Sequence, residues 1–318
     1  MTQAPSIASQ FEYDMPYSTY RRHKLRSGLF KKITKQALPL FFRGADIISI
    51  NPLVNGVHEP EVKALIDYLA DHGHSDFLID IGANIGLTSC QSGTKFSEVH
   101  MFEPNPNAMG VLKINANIAL RGHDYTIHDY ALGAQSERLK LYVPYDNWGG
   151  AFIDSAQNDY ELNLHSQNNG FGPFNPANYD IFEVQVEPAQ DKLGQLFRQL
   201  SSQHKKHGVV KIDAEGYEDF IIEALLNSLP ADFKLFIVYE NWNAKPFNLT
   251  ARSGVALQVF NLFERRFVFQ HAPRWFNSML ISLQGSIKTT LVPVKGNLFP
   301  GTFVIQVDSA SSVTEAAH

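Results

Sequence analysis

Residues 77–86 read Phe-Leu-Ile-Asp-Ile-Gly-Ala-Asn-Ile-Gly: an apolar run ends in Asp80 and gives way to a turn carrying Gly82 and Gly86. Such a run, closed by glycines, predicts a buried strand that passes through a tight turn into a helix. A dinucleotide-binding turn needs G-x-G-x-x-G, whose middle glycine lets a pyrophosphate approach the helix N-terminus. Here only two glycines stand, four positions apart, and Asp80 puts negative charge where a pyrophosphate would lie. The turn therefore suits a ligand with cationic groups and no phosphate.

S-adenosylmethionine, with its sulfonium and α-ammonium groups, is such a ligand. One run further on, Val99–Pro104 (VHMFEP) ends at Glu103, placed to accept hydrogen bonds from ribose hydroxyls. An acid ahead of Gly-x-x-x-Gly, with a second acid about 20 residues on, is a methyltransferase-type signature. Working outward, Glu59–Gly73 spaces Val62, Leu65, Ile66 and Leu69 as one face of a helix. Strand patterns follow at 125–133 (YTIHDYALG), 139–145 (LKLYVPY), 208–218 (GVVKIDAEGYE), 234–242 (KLFIVYENW), 266–272 (RFVFQHA) and 302–307 (TFVIQV). Helical patterns at 107–120 and 218–229 lie among them. This alternation predicts an α/β fold, a Rossmann-like parallel sheet with helices on both faces, whose ligands bind beyond the carboxyl ends of the strands.

The division expected is a basic helical arm at 1–57, a catalytic domain at 58–308 and a disordered tail at 309–318. Arg21, Arg22, Lys24, Arg26, Lys31, Lys32 and Lys35 crowd the arm. They read either as a solvated face or as a contact for an acidic substrate or an anionic membrane surface. Residues 144–183 break the periodicity and read as an insertion covering the site. In it, Trp148, Phe152, Phe171, Phe174 and Tyr179 either stack on a substrate or pack the lid. Trp148, beside Gly149 and Gly150, is the favoured substrate contact.

Over the whole chain 27 basic residues face 32 acidic ones, a net charge of −5 that argues against a nucleic-acid partner. Cys90 is the only cysteine, so no internal disulfide forms, and it reads as packed core. No apolar stretch is long enough to cross a membrane, and the first twenty residues lack a signal-peptide layout, which points to a cytoplasmic protein. His72, His74, His204 and His207 lie in polar loops and read as surface residues, and the Asn248 sequon as incidental. The oligomeric state is not legible.

Taken together, HEPEVKALI (58–66), FLIDIGANIGLTS (77–89), MFEPNP (101–106), DYALG (129–133), VVKIDAEGYEDFIIEAL (209–225) and FIVYEN (236–241) resemble the FkbM family of S-adenosylmethionine-dependent methyltransferases. The resemblance implies a twisted, mostly parallel seven-stranded sheet and methyl transfer to an oxygen, often of a sugar or secondary metabolite. It also implies cofactor contacts at Asp80, Gly82, Ala83, Asn84, Gly86 and Glu103, with Asp129 and Ala131 near the adenine and Glu59 closing over the methionine end.

On the acceptor side, an alcohol must be aligned and must lose its proton as it attacks. Lys211, Asp213 and Glu215 share one side of an extended segment, because side chains there alternate with period two. Asp213 is the first choice as base or metal ligand and Glu215 the second. Lys211 either tunes the acidity of a neighbour or simply pairs with a carboxylate, and Glu218 starts the next helix, where an acid favours the dipole. Asp213 with Glu240 and Asn241 would also suit Mg²⁺, as in catechol-type O-methyltransferases. The acceptor expected is a small molecule or a glycan hydroxyl. An NAD(P)-dependent reductase and a non-catalytic binding module of the same fold are the competing readings.

Overall fold

A computed structural model describes residues 11–16, 41–44, 46–55, 57–155, 158, 174–241, 255–265, 286–294 and 301–309, with scattered positions between 18 and 29. In chain order the strands are β1 (Glu12–Pro16), β2 (Phe77–Ile81), β3 (Glu98–Phe102), β4 (Asp124–His128), β5 (Ala131–Gly133), β6 (Glu137–Pro144), β7 (Phe152–Ile153), β8 (Tyr179–Pro188), β9 (His207–Ile212), β10 (Lys234–Asn241), β11 (Val255–Arg265), β12 (Ser286–Pro293) and β13 (Gly301–Ser309). The helices are α1 (Ile47–Asn55), α2 (Pro60–Asp71), α3 (Leu87–Ser92), α4 (Pro106–Ala119), α5 (Ala189–Ser202) and α6 (Glu218–Ser228).

The main sheet runs β1-β12-β11-β13-β10-β9-β2-β3-β4. Its half from β10 to β4 is parallel, and β13, β11, β12 and β1 add antiparallel beyond β10. Among the described residues it therefore holds nine strands rather than the seven expected, because β12 and β1 continue the sheet past β11. β1 falls within the segment read as a helical arm. There Glu12 and Asp14 pair with Lys288 of β12.

β2 and β3 are buried along their whole length, as strands covered on both faces must be. One face packs Leu65, Ile66 and Leu69 of α2 and Leu112 of α4 against Leu78, Val99, Val209 and Val238. The other packs Leu193, Phe197 and Leu200 of α5 and Ile221 and Leu225 of α6 against Phe77, Ile79, Val210 and Ile237.

A second sheet, β5-β8-β6-β7, stands over the carboxyl ends of the main one. It takes Leu139–Tyr145, and it splits 125–133 into β4 of one sheet and β5 of the other. It also turns the end of the expected insertion into the ten-residue β8, which pairs with β6 from Glu137↔Val186 to Pro144↔Tyr179. Phe171, residues 266–272, residues 310–318 and Lys24, Lys31, Lys32 and Lys35 lie outside the described residues. Ser309, assigned to the tail, closes β13, where its hydroxyl binds the Phe233 N–H and the Pro230 carbonyl.

Candidate functional site

Three strand ends are tied together by main chain. The Gly82 and Ala83 N–H groups both donate to the Phe102 carbonyl at 3.0 Å, and the Asp213 N–H donates to the Ile81 carbonyl at 2.9 Å. Gly82 has φ +78°, and a Cβ there would lie 1.8 Å from the Asp213 carbonyl oxygen, so only glycine lets these loops meet. Gly86, at φ +82°, starts α3, and a side chain there would strike Leu112.

Buried carboxylates hold the turns. Glu103 accepts the Asn84 and Asn105 N–H groups, each at 2.7 Å. Burial pushes its carboxyl up to about 7, against the pull of those two bonds. Glu218 accepts the Ala214 and Gly216 N–H groups at 3.0 and 2.9 Å, and burial likewise pushes it up to about 7. It opens α6, as the sequence led us to expect. Asp80 Oδ2 accepts the Ser89 N–H and hydroxyl at 3.2 and 2.7 Å, while its buried Oδ1 has no hydrogen-bond partner. Burial raises its carboxyl above the ordinary range, with Lys211 pulling the other way.

Above these turns a cleft of about 690 Å³ opens between the two sheets. Gly82, Asn84, Glu103, Tyr130, Ala131, Asp213, Glu215 and Tyr217 line its floor, and Leu141, Trp148, Gly149, Phe152 and Ile153 its roof. The roof is pinned to the floor where Ser155 shares a hydrogen bond with the Tyr217 hydroxyl, and where Asn158 Nδ2 donates to the Ile153 and Glu215 carbonyls at 2.7 and 3.2 Å. Phe152, Phe174 and Tyr179 pack with Tyr142 as an aromatic cluster, edge-on, stacked or tilted, at centroid distances of 5.4–6.3 Å.

Behind the floor lies a buried charge group. Lys211 Nζ donates to Asp213 Oδ2 at 2.7 Å. Burial works to lower its pKa, but Asp213, Glu59 and Asp80 outweigh it and hold the ammonium above its ordinary range. Lys211 is thus a fixed positive charge and not a proton acceptor. His58, 3.8 Å from Glu59, is kept neutral by burial, since its pKa is lowered.

Of the site residues expected from sequence, the cleft gathers Gly82, Asn84, Glu103, Ala131, Trp148, Asp213 and Glu215 into its lining. Ala83 and Gly86 pack into the floor from behind, Asp80, Lys211 and Glu59 form the charge group beneath it, and Asp129 lies outside the lining. Lys211 and Asp213 do share a side, but Glu215 does not extend their row: β9 ends at Ile212, and Glu215 turns at φ +36°.

Glu240 and Asn241 end β10 outside the cleft lining. Among the described residues no group of three His, Cys, Asp or Glu side chains is placed to hold a metal. A cation at Asp213 would also face the Lys211 ammonium, so this donor set fits Mg²⁺ poorly. Burial and Asp80 push the Cys90 thiol up to about 12, which leaves it unreactive. Sequence reasoning missed Asp46 and Arg43, which hold Trp148 from the N-terminal segment, and Tyr130. For the first two no local signal existed, since Asp46 and Trp148 are 102 residues apart.

The methyltransferase FkbM domain matches residues 80–260, more than half of the chain. The chain belongs to the FkbM methyltransferase family. In three dimensions this family member is similar to the O-methyltransferase TomG of Streptomyces achromogenes in complex with S-adenosylmethionine (10% identity, TM-score 0.41, covering 90% of this chain and 98% of that one). It is also similar to an O-methyltransferase of Bacillus cereus in complex with S-adenosylhomocysteine (9%, 0.40, 90% and 100%). A third likeness is to a putative RNA methyltransferase of Pyrococcus horikoshii (10%, 0.34, 91% and 98%). At these scores the likenesses add nothing to the fold described above. No functionally curated protein matches the chain in sequence. Among the described residues no helix is long and apolar enough to cross a membrane.

Proposed function

We propose that this chain is an S-adenosylmethionine-dependent O-methyltransferase whose acceptor is a hydroxyl of a sugar or glycan. One observation carries the reading: among the described residues, the charged side chains lining the cleft are Glu103, Asp213 and Glu215, all carboxylates. The nearest buried cation, Lys211, is already matched by Asp213, Glu59 and Asp80. A floor of this charge favours a ligand bearing a sulfonium and an ammonium, and it opposes the pyrophosphate of a dinucleotide. The Glu103 carboxylate supplies acceptors for such a ligand's donors, and Asp80 adds negative charge beneath the floor.

Bound there, S-adenosylmethionine would supply an electrophilic methyl group. Asp213, held by Lys211, accepts the proton of the attacking hydroxyl, and Glu215 stands second for that role. Trp148, Phe152 and Ile153 exclude water and align the acceptor, so that its oxygen meets the methyl in line. Calorimetric titration with S-adenosylmethionine, S-adenosylhomocysteine and NADH tests the reading. Binding of both sulfur compounds and not of NADH is expected, and the opposite pattern would return the reductase reading.

A further inference from the structure

Trp148 belongs to the cleft roof, yet part of its support comes from far upstream. Its main-chain N–H donates to Asp46 Oδ2 at 3.2 Å, while Asp46 Oδ1 accepts the Ile48 N–H at 3.2 Å and so fixes the start of α1. Arg43 Nη1 lies 3.8 Å from the same Oδ2, and its guanidinium sits 4.7 Å from the centre of the Trp148 ring. Ile48 presses on the next residue, for a Cβ at Gly149 would come within 2.7 Å of its Cγ2. Phe42, Ile48 and Trp148 together cover Ile85, Leu87 and Ala108.

Asp46 is only 1% exposed, and a buried carboxylate is costly unless hydrogen bonds and charge offset it. Here those bonds reach one helix start and one turn of the cleft wall. Arg43 stacks on the indole without itself lining the cleft, so a guanidinium backs a ring that borders the cleft. This segment also lies ahead of residues 80–260, outside the shared domain.

Resting on the reading of Trp148 as an acceptor wall, we propose that Asp46 and Arg43 are positioning residues that lock its indole as a flat platform for the pyranose ring carrying the reacting hydroxyl. The groups facing Asp46 are the Arg43 guanidinium, the Trp148 and Ile48 N–H groups and the Asp146 carboxylate. Burial pushes its carboxyl up to about 6, with the two N–H groups and Arg43 opposing and Asp146 adding to the rise. A raised carboxyl holds its proton more tightly in the buried, locked state, so the lock is firmest below that value and loosens as pH rises through it.

The test is acrylamide quenching of the full-length protein, with the Trp148 contribution isolated by subtraction of a Trp148→Phe variant. Asp46→Ala should raise Trp148 quenching severalfold. Wild type should become less quenchable as pH falls through about 6, and Asp46→Asn, which is neutral and keeps an acceptor oxygen, should stay tight and flat with pH. Unchanged quenching in a folded Asp46→Ala protein overturns the lock. If that variant does not fold, a wild type whose quenching is flat from pH 8 to 5 overturns it instead. Millimolar methyl pyranosides (gluco, galacto, manno and rhamno) should protect Trp148 in wild type and not in Asp46→Ala, and no protection by any of them removes the platform. S-adenosylhomocysteine binding, titrated on the same samples, should not change in Asp46→Ala. Its absence from wild type would sink the methyltransferase reading while leaving the quenching result to decide the lock.

Discussion

The floor and the roof of the cleft are held over different distances along the chain. On the floor, Glu103 binds N–H groups 2 and 19 residues away, Glu218 binds groups 2 and 4 residues away, and Asp80 reaches 9 residues to Ser89. In the roof, Trp148 reaches 102 residues to Asp46, Ser155 reaches 62 to Tyr217 and Asn158 reaches 57 to Glu215. The carboxylate-held turns of the floor are therefore specified by short stretches of sequence, while the Asp213 N–H to Ile81 bond joins two of them across 132 residues. The roof exists only once distant segments have met.

The most damaging test of this contrast is Gly82→Ala. A Cβ 1.8 Å from a carbonyl oxygen at φ +78° cannot be accommodated, and a loss of more than about 4 kcal/mol is expected in thermal or urea unfolding. A variant that melts like wild type would show that the two loops can part. Next, Asp213→Asn should lower kcat by roughly 10²–10⁴-fold while leaving S-adenosylhomocysteine affinity near wild type, as befits a proton acceptor. Equal loss in affinity would make Asp213 a donor-side residue.

Third comes Glu218, whose carboxyl is raised from 4.5 to about 7. A raised carboxyl binds a proton more tightly in the folded state, so its stabilising contribution is present below pH 4.5 and is lost as pH rises through 7. Wild type should lose roughly 2–3 kcal/mol relative to Glu218→Gln across that window. Denaturant midpoints at a series of pH values measure it, and parallel curves would refute the shift.

Glu103 gives a smaller effect of the same origin, read on binding. If its ionised form accepts the ribose hydroxyls, S-adenosylhomocysteine affinity should fall by about tenfold between pH 8 and 6 in wild type, and should be flat in Glu103→Gln. Smallest of all is Ser155→Ala, which removes one roof bond. It should cost about 1 kcal/mol and raise acceptor KM without touching cofactor affinity. A change in cofactor affinity there would erase the division between floor and roof.

The same contrast explains what could be read from the residues alone. The turn at 80–86, Glu103, and the Lys211–Asp213 pair two residues apart are local patterns, and the cleft gathers or backs each of them. Glu215 fell outside its expected row because glycine at 216 lets the chain turn one residue earlier than an extended reading assumed, and that turn is what Glu218 caps. The small sheet was obscured because β6 pairs with β8 across an irregular stretch. Yet Phe182, Val184 and Val186 alternate with Glu183, Gln185 and Glu187, a period-two signal that was there to find. β1 was hidden in a basic segment whose charge drew the eye from its short strand.

That strand has a practical side. β12 runs between β11 and β1, so among the described residues Glu12–Pro16 is the strand that covers its outer main-chain groups. β1 ends in a proline and carries Glu12 and Asp14, features that discourage a further strand from adding. A chain trimmed to begin after residue 16 would strip β1 from Ser286–Thr290 and leave that edge of β12 open to its counterpart in another molecule. Such a trimmed protein should turn cloudy with rising concentration while its active-site chemistry stays intact, and would be mistaken for a poorly folding enzyme when its fault is adhesion.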